Sequence, residues 1–434
     1  MLRWTLNLCY LAILSIAIPW AVLRWVRTKK RVAQPIAKLT GRLRLVPSDR
    51  ERIWIHAVSV GEVLQTRPLI DELRRRDPTQ PIVLTVSTAS GLKVASERFG
   101  DVDVAPLPLD FTWANAAAIR RINPSALLLV ELELWPNLLL TCCRAGIPVH
   151  IVSGRLSEKS FRGYRRVRPL LQPMLRCLTS VDVQTTAYRE RFASLGVPES
   201  RLRVAGSLKH DNLPTATRDA ATLALRDRFG IRAGEIVFVA GSTHASEEQV
   251  ALNITRGLID SGQQVRLLLA PRHPERFDEV ARLILENGFE LTRRTERELL
   301  PKPGSVGLLD TIGELALAWK LADVAFVGGS LTDRGGQNML EPAAAGAATL
   351  FGPNVWNFPR EVFRLLERQA AVQVENAADL AECVDYLVGH PGERAVLARN
   401  ASVVVQSLQG AASLAADRVL GRPAEQSTAP NRAA

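Results

Sequence analysis

Short apolar runs rich in Val, Ile, Leu and Ala alternate, over most of the chain, with stretches whose apolar positions recur at helical spacing. A parallel sheet with crossover helices demands this alternation, because strands covered on both faces read as continuous apolar runs. The runs predict strands at Ile53–Ala57, Ile82–Ser87, Ala126–Glu131, Val149–Ser153, Val181–Thr185 and Arg203–Gly206. A second series follows at Ile236–Ala240, Val265–Ala270, Val306–Leu309, Val324–Val327 and Ala348–Phe351. No strand pattern interrupts residues 212–234, and a chain of 434 residues exceeds the roughly 250–300 at which single cores stop growing. Two successive doubly wound α/β domains are therefore expected, over residues 31–211 and 235–421, with 212–234 as the linker and a loose tail from Arg422.

The first thirty residues depart from this pattern. From Thr5 to Leu23 there is no charged residue, and Trp4, Trp20 and Trp25 bracket the run as an interfacial belt would. Pro19 near its end is tolerable in a membrane helix. Only Arg3 precedes the run, whereas Arg24, Arg27, Lys29, Lys30 and Arg31 follow it directly, the reverse of a cleaved signal peptide. An uncleaved single-pass anchor over residues 1–30 is expected, with the body on the cytoplasmic face of the membrane.

A net charge of +11 points to an anionic partner: nucleic acid, an anionic membrane surface or a phosphorylated substrate. Zinc-finger spacing, a basic zipper and an RNP pattern are all missing, which disfavours nucleic acid. The five cysteines are scattered, without the spacing of a metal site or a disulfide framework. No metal and no cofactor is expected.

Because ligands of doubly wound sheets bind beyond the carboxyl ends of the strands, candidate chemistry is sought there. After Ile53–Ala57 comes Val58-Ser59-Val60-Gly61-Glu62 and an amphipathic helix. Glu62 in the first helical turn is either a general base or a residue that favours the helix N-terminus electrostatically. Glu131-Leu132-Glu133-Leu134-Trp135-Pro136-Asn137 closes an apolar strand, where acids need a basic partner or a ligand hydroxyl. Glu133 can equally be a helix-start residue and Trp135 a core anchor. Lys209, in Gly206-Ser207-Leu208-Lys209, is suited to a phosphate or carboxylate, or is a surface lysine.

In the second half, Gly241-Ser242-Thr243-His244 joins a strand to a helix whose N-terminal N–H groups suit an anion. Pro271-Arg272 puts a guanidinium at a strand end. Thr311-Ile312-Gly313-Glu314 follows a further strand, and Gly313 permits close approach of a ligand to the backbone. Gly328-Gly329-Ser330 and Gly335-Gly336-Gln337-Asn338-Met339-Leu340-Glu341 complete the series. A glycine pair opening a helix suits an anion. Glu341 is placed to accept hydrogen bonds from ribose hydroxyls.

In this order the motifs resemble those of the Kdo transferases, which build the inner core of lipopolysaccharide; the matching segments run from about Ile53 to Phe358. The resemblance implies a GT-B fold, two Rossmann-like doubly wound domains facing a cleft, beside one N-terminal transmembrane helix. It implies an inverting glycosyltransferase that moves Kdo from CMP-Kdo to a lipid A precursor, with the acceptor in the first domain and CMP-Kdo in the second. Glu62 corresponds to the base, and Glu131 and Lys209 to polar positions supporting the transition state. Pro271, Arg272, Ile312, Gly313, Glu314, Asn338, Met339, Leu340 and Glu341 correspond to the CMP-contacting segments. Gln337 and Asn354 stand where the family usually has histidine, which removes a titratable ring at both places. Two alternatives remain: a GT-B enzyme acting on a UDP-sugar, such as a lipid A disaccharide synthase or a UDP-sugar epimerase, and a non-catalytic basic protein tethered to the membrane.

Overall fold

The computed structural model describes residues 34–214, 216–296 and 304–421, together with residues 7, 8, 10–12 and 15. It divides into two compact units, residues 1–212 with 408–434, and residues 213–407. The first contains β1 (Arg52–Ala57), β2 (Ile82–Val86), β3 (Asp103–Pro106), β4 (Pro124–Val130), β5 (Val149–Gly154), β6 (Leu178–Val183) and β7 (Leu202–Val204). They form one parallel sheet in the order β3-β2-β1-β4-β5-β6-β7. Helices such as Arg67–Arg76 and Pro136–Arg144 cover its faces, and β1 is buried at every position, as a strand with both faces packed must be.

The second unit repeats the plan with β8 (Ile236–Thr243), β9 (Val265–Pro271), β10 (Leu291–Arg293), β11 (Val306–Leu308), β12 (Val324–Val327), β13 (Ala348–Phe351) and β14 (Val372–Gln373). Its parallel order is β10-β11-β9-β8-β12-β13-β14. All eleven strands expected from the sequence form. The three not expected, β3, β10 and β14, are outermost in their sheets, short, and without a continuous apolar run.

Two expected boundaries are corrected. Residues 213–234 are not a separate linker: they fall in the second unit, where Leu225, Phe229 and Ile231 join a core cluster with Val237 and Leu268. Residues 408–421 were expected in the second domain but pack in the first. Helix Ala411–Leu420 lays Ala411, Ala412, Ala415 and Ala416 against Ile70 and Leu73, a face of small side chains that permits close approach. Asp211 accepts hydrogen bonds from Gly410 N and Ala412 N, both 2.6 Å, and Arg76 pairs with Asp417 at 2.6 Å.

The expected membrane span lies largely outside the described residues. Among the described residues no helix is long and apolar enough to cross a membrane. Asn7, within the expected span, is buried against the first unit, donating to Thr112 Oγ1 at 2.8 Å and accepting from Asn137 Nδ2 at 3.1 Å.

Candidate active site

In the first unit β1 lies between β2 and β4, so the chain leaves β1 and β4 side by side at the switch point of the sheet. This topology brings Glu62 and Glu131-Leu132-Glu133 to one neighbourhood from positions far apart in sequence. Glu62 sits in the first turn of helix Val60–Gln65, half-buried, and its carboxylate accepts from Val58 N at 2.9 Å and Ser59 Oγ at 2.9 Å. Glu62 N donates back to Ser59 Oγ at 3.3 Å, closing a reciprocal cap. The helix-terminus role that the sequence allowed is thus real; it leaves lone pairs on both oxygens for a further donor.

Glu131 holds a left-handed backbone, φ 62°, unusual for a side chain of its type. Its Oε1 is 3.7 Å from Lys209 Nζ and 3.5 Å from Gln65 Nε2. Lys209 is carried there by the turn after β7, where Ser207 caps the short helix Leu208–Asp211 and Leu208 N donates to Ser153 Oγ, 3.3 Å. Ser153, at the end of β5, also has positive φ. Glu131 and Lys209 therefore meet, which gives Glu131 the first of the two partners the sequence left open for it, a basic group rather than a ligand hydroxyl.

Glu133, for which the sequence left open a helix-start role or a place in the acidic cluster, lies near the same group. Trp135 Nε1 donates to its Oε2 at 2.9 Å. Burial, and then the charge of Glu62, raise its pKa to about 7; the Trp135 hydrogen bond opposes the shift and Glu131 adds to it. Helix Pro136–Arg144, which follows, is capped from outside: Asp110 accepts from Asn137 N at 2.9 Å and Leu138 N at 2.8 Å. His56 lies below the site inside β1, fully buried, its Nδ1 donating to Thr85 O at 3.0 Å, and burial lowers its pKa to about 4.

In the second unit the loops after β8 and β12 meet in the same way, because these strands are neighbours. Here some of the N–H groups that could have held an anion are occupied by the protein itself. The N–H groups offered by the glycine loop after β12 and by His244 are already taken by Glu247. Its carboxylate accepts from His244 N (2.8 Å), Gly329 N (2.7 Å), Ser330 N (3.1 Å) and Leu331 N (3.1 Å). A protein carboxylate thus fills the nest of this loop, which is not the Gly335-Gly336 pair read from sequence as suited to an anion. Gly328 is required for this closeness, since a Cβ there would lie 2.5 Å from Ser242 O.

Arg272 follows β9, its N–H bonded to Thr243 O at 3.0 Å, and its guanidinium is in no ion pair among the described residues. Its charge acts on Glu341, whose pKa is raised, chiefly by burial. Asn338 Nδ2 donates to Glu341 Oε1 at 3.2 Å, so Arg272, Asn338 and Glu341 form one group. Met339 and Leu340, between them, are buried in the core and offer a ligand only their backbone. Glu314 instead pairs with Arg294 at 2.8 Å, beside an exposed Ile312 and Gly313 with φ 90°. Pro271 is the last residue of β9 and is buried. A cavity of about 530 Å³ lined by His244, His273, Arg276 and Arg334, which the sequence did not flag, opens beside the same loops. Among the described residues no cluster of three or more His, Cys, Asp or Glu side chains could hold a metal ion.

Residues 30–212 match the family model for 3-deoxy-D-manno-octulosonic-acid (Kdo) transferase. A curated relative of that name from Haemophilus influenzae is 34% identical over 414 residues, covering 94% of this chain and 93% of its own. The chain belongs to the Kdo transferase family. A second Kdo transferase, from Bordetella pertussis, is 32% identical over 83% of this chain and 84% of its own. As a member of this family the chain is a glycosyltransferase whose reaction is Kdo transfer, in lipopolysaccharide core synthesis, and the UDP-sugar alternative is not favoured. A solved UDP-GlcNAc 2-epimerase from Neisseria meningitidis superimposes with a TM-score of 0.54 at 13% identity, covering 86% of this chain and 100% of that one, a likeness of fold alone, of the GT-B kind.

Proposed function

We propose that this Kdo transferase takes Kdo from CMP-Kdo and attaches it to the primary hydroxyl of a lipid A precursor, with Glu62 as the general base. The hydroxyl proton passes to a Glu62 oxygen as the acceptor oxygen attacks the anomeric carbon from the face opposite the phosphate. The bond from that carbon to the phosphate oxygen breaks, its electron pair leaves on CMP, and configuration inverts. Charge growing on the phosphate is met by the Arg272 guanidinium, and Lys209, paired with Glu131, supports the charge that develops at the acceptor side.

The observation that carries this reading is the group of Glu62, Glu131 and Lys209 assembled at the switch point of the first sheet, a carboxylate with open lone pairs beside an ion-paired lysine. Arg272, Asn338 and Glu341 support the nucleotide assignment: a guanidinium in no ion pair among the described residues for phosphate, and a half-buried, amide-bonded carboxylate for ribose hydroxyls. Pro271, Ile312, Gly313, Glu314, Met339 and Leu340 complete the CMP segments in this reading. Membrane attachment through residues 1–30 is part of it, and the ties of Asn7 to Thr112 and Asn137 would fix that segment to the acceptor-binding unit.

Purified protein incubated with labelled CMP-Kdo and a tetraacylated lipid A precursor should yield a product heavier by Kdo in mass spectrometry. Label transfer from UDP-N-acetylglucosamine instead would overturn the donor assignment. Removing residues 1–30 should release the protein from membranes and spare activity on detergent-dispersed acceptor; a truncated protein still pelleting after a high-salt wash would contradict the anchor.

A further inference from the structure

Glu247 and Glu248, consecutive in the first turn of helix Glu247–Asp260, build the cavity beside the loops of the second unit. Glu247 fixes its backbone, accepting from His244 N and from Leu331 N, one residue before Thr332. Glu248, whose side chain is fully buried, fixes a cation: Arg276 Nη1 lies 2.7 Å from Glu248 Oε1, and Arg276 Nη2 lies 3.0 Å from Glu279 Oε1. Two guanidinium groups, Arg276 and Arg334, and two imidazoles, His244 and His273, thus line about 530 Å³ against one exposed carboxylate, Asp333. Arg334 accepts from Asn357 Nδ2 at its carbonyl, 2.8 Å, and among the described residues its guanidinium is in no ion pair. Two polar atoms of the lining side chains, His244 Nε2 and Thr332 Oγ1, are buried with no hydrogen-bond partner, a costly state that an incoming group can relieve. Burial, and then the charges of His273 and Arg334, lower the pKa of His244, so the positive groups here stand close enough to oppose one another.

The cavity adjoins the proposed phosphate site. Arg272 N donates to Thr243 O at 3.0 Å, and the next residue along each loop, His273 and His244, lines the cavity. Kdo is an ulosonic acid: its carboxylate is attached to the anomeric carbon, the carbon that also bears the phosphate in CMP-Kdo. The donor therefore presents two anionic groups on one carbon, and Arg272 answers only one of them. We propose that this cavity is the subsite for the donor's carboxylate, with Arg334 and Arg276 as its charged partners and His244 and Thr332 as further hydrogen-bonding groups. The assignment rests on CMP-Kdo being the donor. A guanidinium fork suits a carboxylate, and a nucleotide sugar without one would leave these groups unpaired, so the cavity selects acidic sugars.

Steady-state kinetics of the full chain test this. Arg334→Ala, at an exposed position, should raise KM for CMP-Kdo by about tenfold or more, the scale of a lost hydrogen bond between charged groups. The inhibition constant of CMP, which has no carboxylate, should stay at its wild-type value. Asp333→Asn, which removes the one carboxylate of the lining, should lower KM for CMP-Kdo. A rise in both variants would mean that the loop acts through its fold rather than its charge, and would overturn the proposal. Equal weakening of CMP-Kdo and CMP by Arg334→Ala would overturn it by placing Arg334 on the phosphate. A raised KM for the phosphorylated acceptor, with that for CMP-Kdo unchanged, would give the cavity to an acceptor phosphate instead, and wild-type constants throughout would leave it no part in binding; either result overturns the assignment. Failure of the donor reading is distinct, since a wild-type chain that transfers nothing from CMP-Kdo fails before any variant is compared.

Discussion

Ser59 and Glu62 hold each other: the Ser59 hydroxyl donates to Glu62 Oε1 at 2.9 Å while accepting from Glu62 N–H at 3.3 Å. One pair thus caps helix Val60–Gln65 and fixes the carboxylate proposed as base. Ser59→Ala should remove the cap at about 1 kcal/mol of stability. Turnover should fall by roughly an order of magnitude or less, since the carboxylate keeps Val58 N and its ability to take a proton, whereas a lost base costs about two to four orders. Melting temperature and turnover of the variant check both halves.

Arg272→Ala should weaken CMP binding by about 1.5–3 kcal/mol, the usual share of a hydrogen bond to a charged group. Glu341→Ala should lower affinity for CMP more than for pyrophosphate, because its proposed partners are ribose hydroxyls. Calorimetry with both ligands separates the roles; equal losses for the two would make Glu341 a structural partner of Asn338.

His56 gives a pH signature of the fold. Buried within β1, it has a pKa of about 4 in the folded chain against about 6.5 when unfolded. Between these values the unfolded chain binds the extra proton, so His56 withdraws stability as pH falls through 6.5 towards 4. The stability advantage of wild type over His56→Gln should therefore shrink on acidification, by at most about 1.4 kcal/mol per pH unit. Thermal midpoints of both proteins at pH 7.5, 6.5 and 5.5 measure this; a constant difference would mean that His56 takes up its proton equally in the folded and unfolded chains.

The central strands could be read from sequence because burial on both faces writes an unbroken apolar run, as in β1 and β4. Edge strands β3, β10 and β14 carry no such signature, and helix Ala411–Leu420 could not be assigned to the first unit because an alanine-rich face names no partner. In the site, the need of Glu131 for a basic partner or a ligand hydroxyl was legible, but that the partner is Lys209 was not. The filling of the glycine nest by Glu247 was not, since a carboxylate in the first turn of a helix reads as a local cap rather than as a bond to a loop more than eighty residues away. For Glu133, named in sequence among the acids at the end of β4, the raised pKa was not legible: it comes from burial and from Glu62, a neighbour supplied only by the pairing of β1 with β4.

Glu62→Gln tests the central claim most directly. The substitution keeps size and hydrogen bonding but abolishes proton uptake, so turnover from CMP-Kdo should fall by roughly two to four orders of magnitude. CMP affinity, proposed to reside in Arg272, Asn338 and Glu341, should hardly change, and the melting temperature should stay close to that of the wild type. A stable variant with near wild-type turnover would contradict the account, leaving Glu62 as the partner of Ser59 in a helix cap and nothing more.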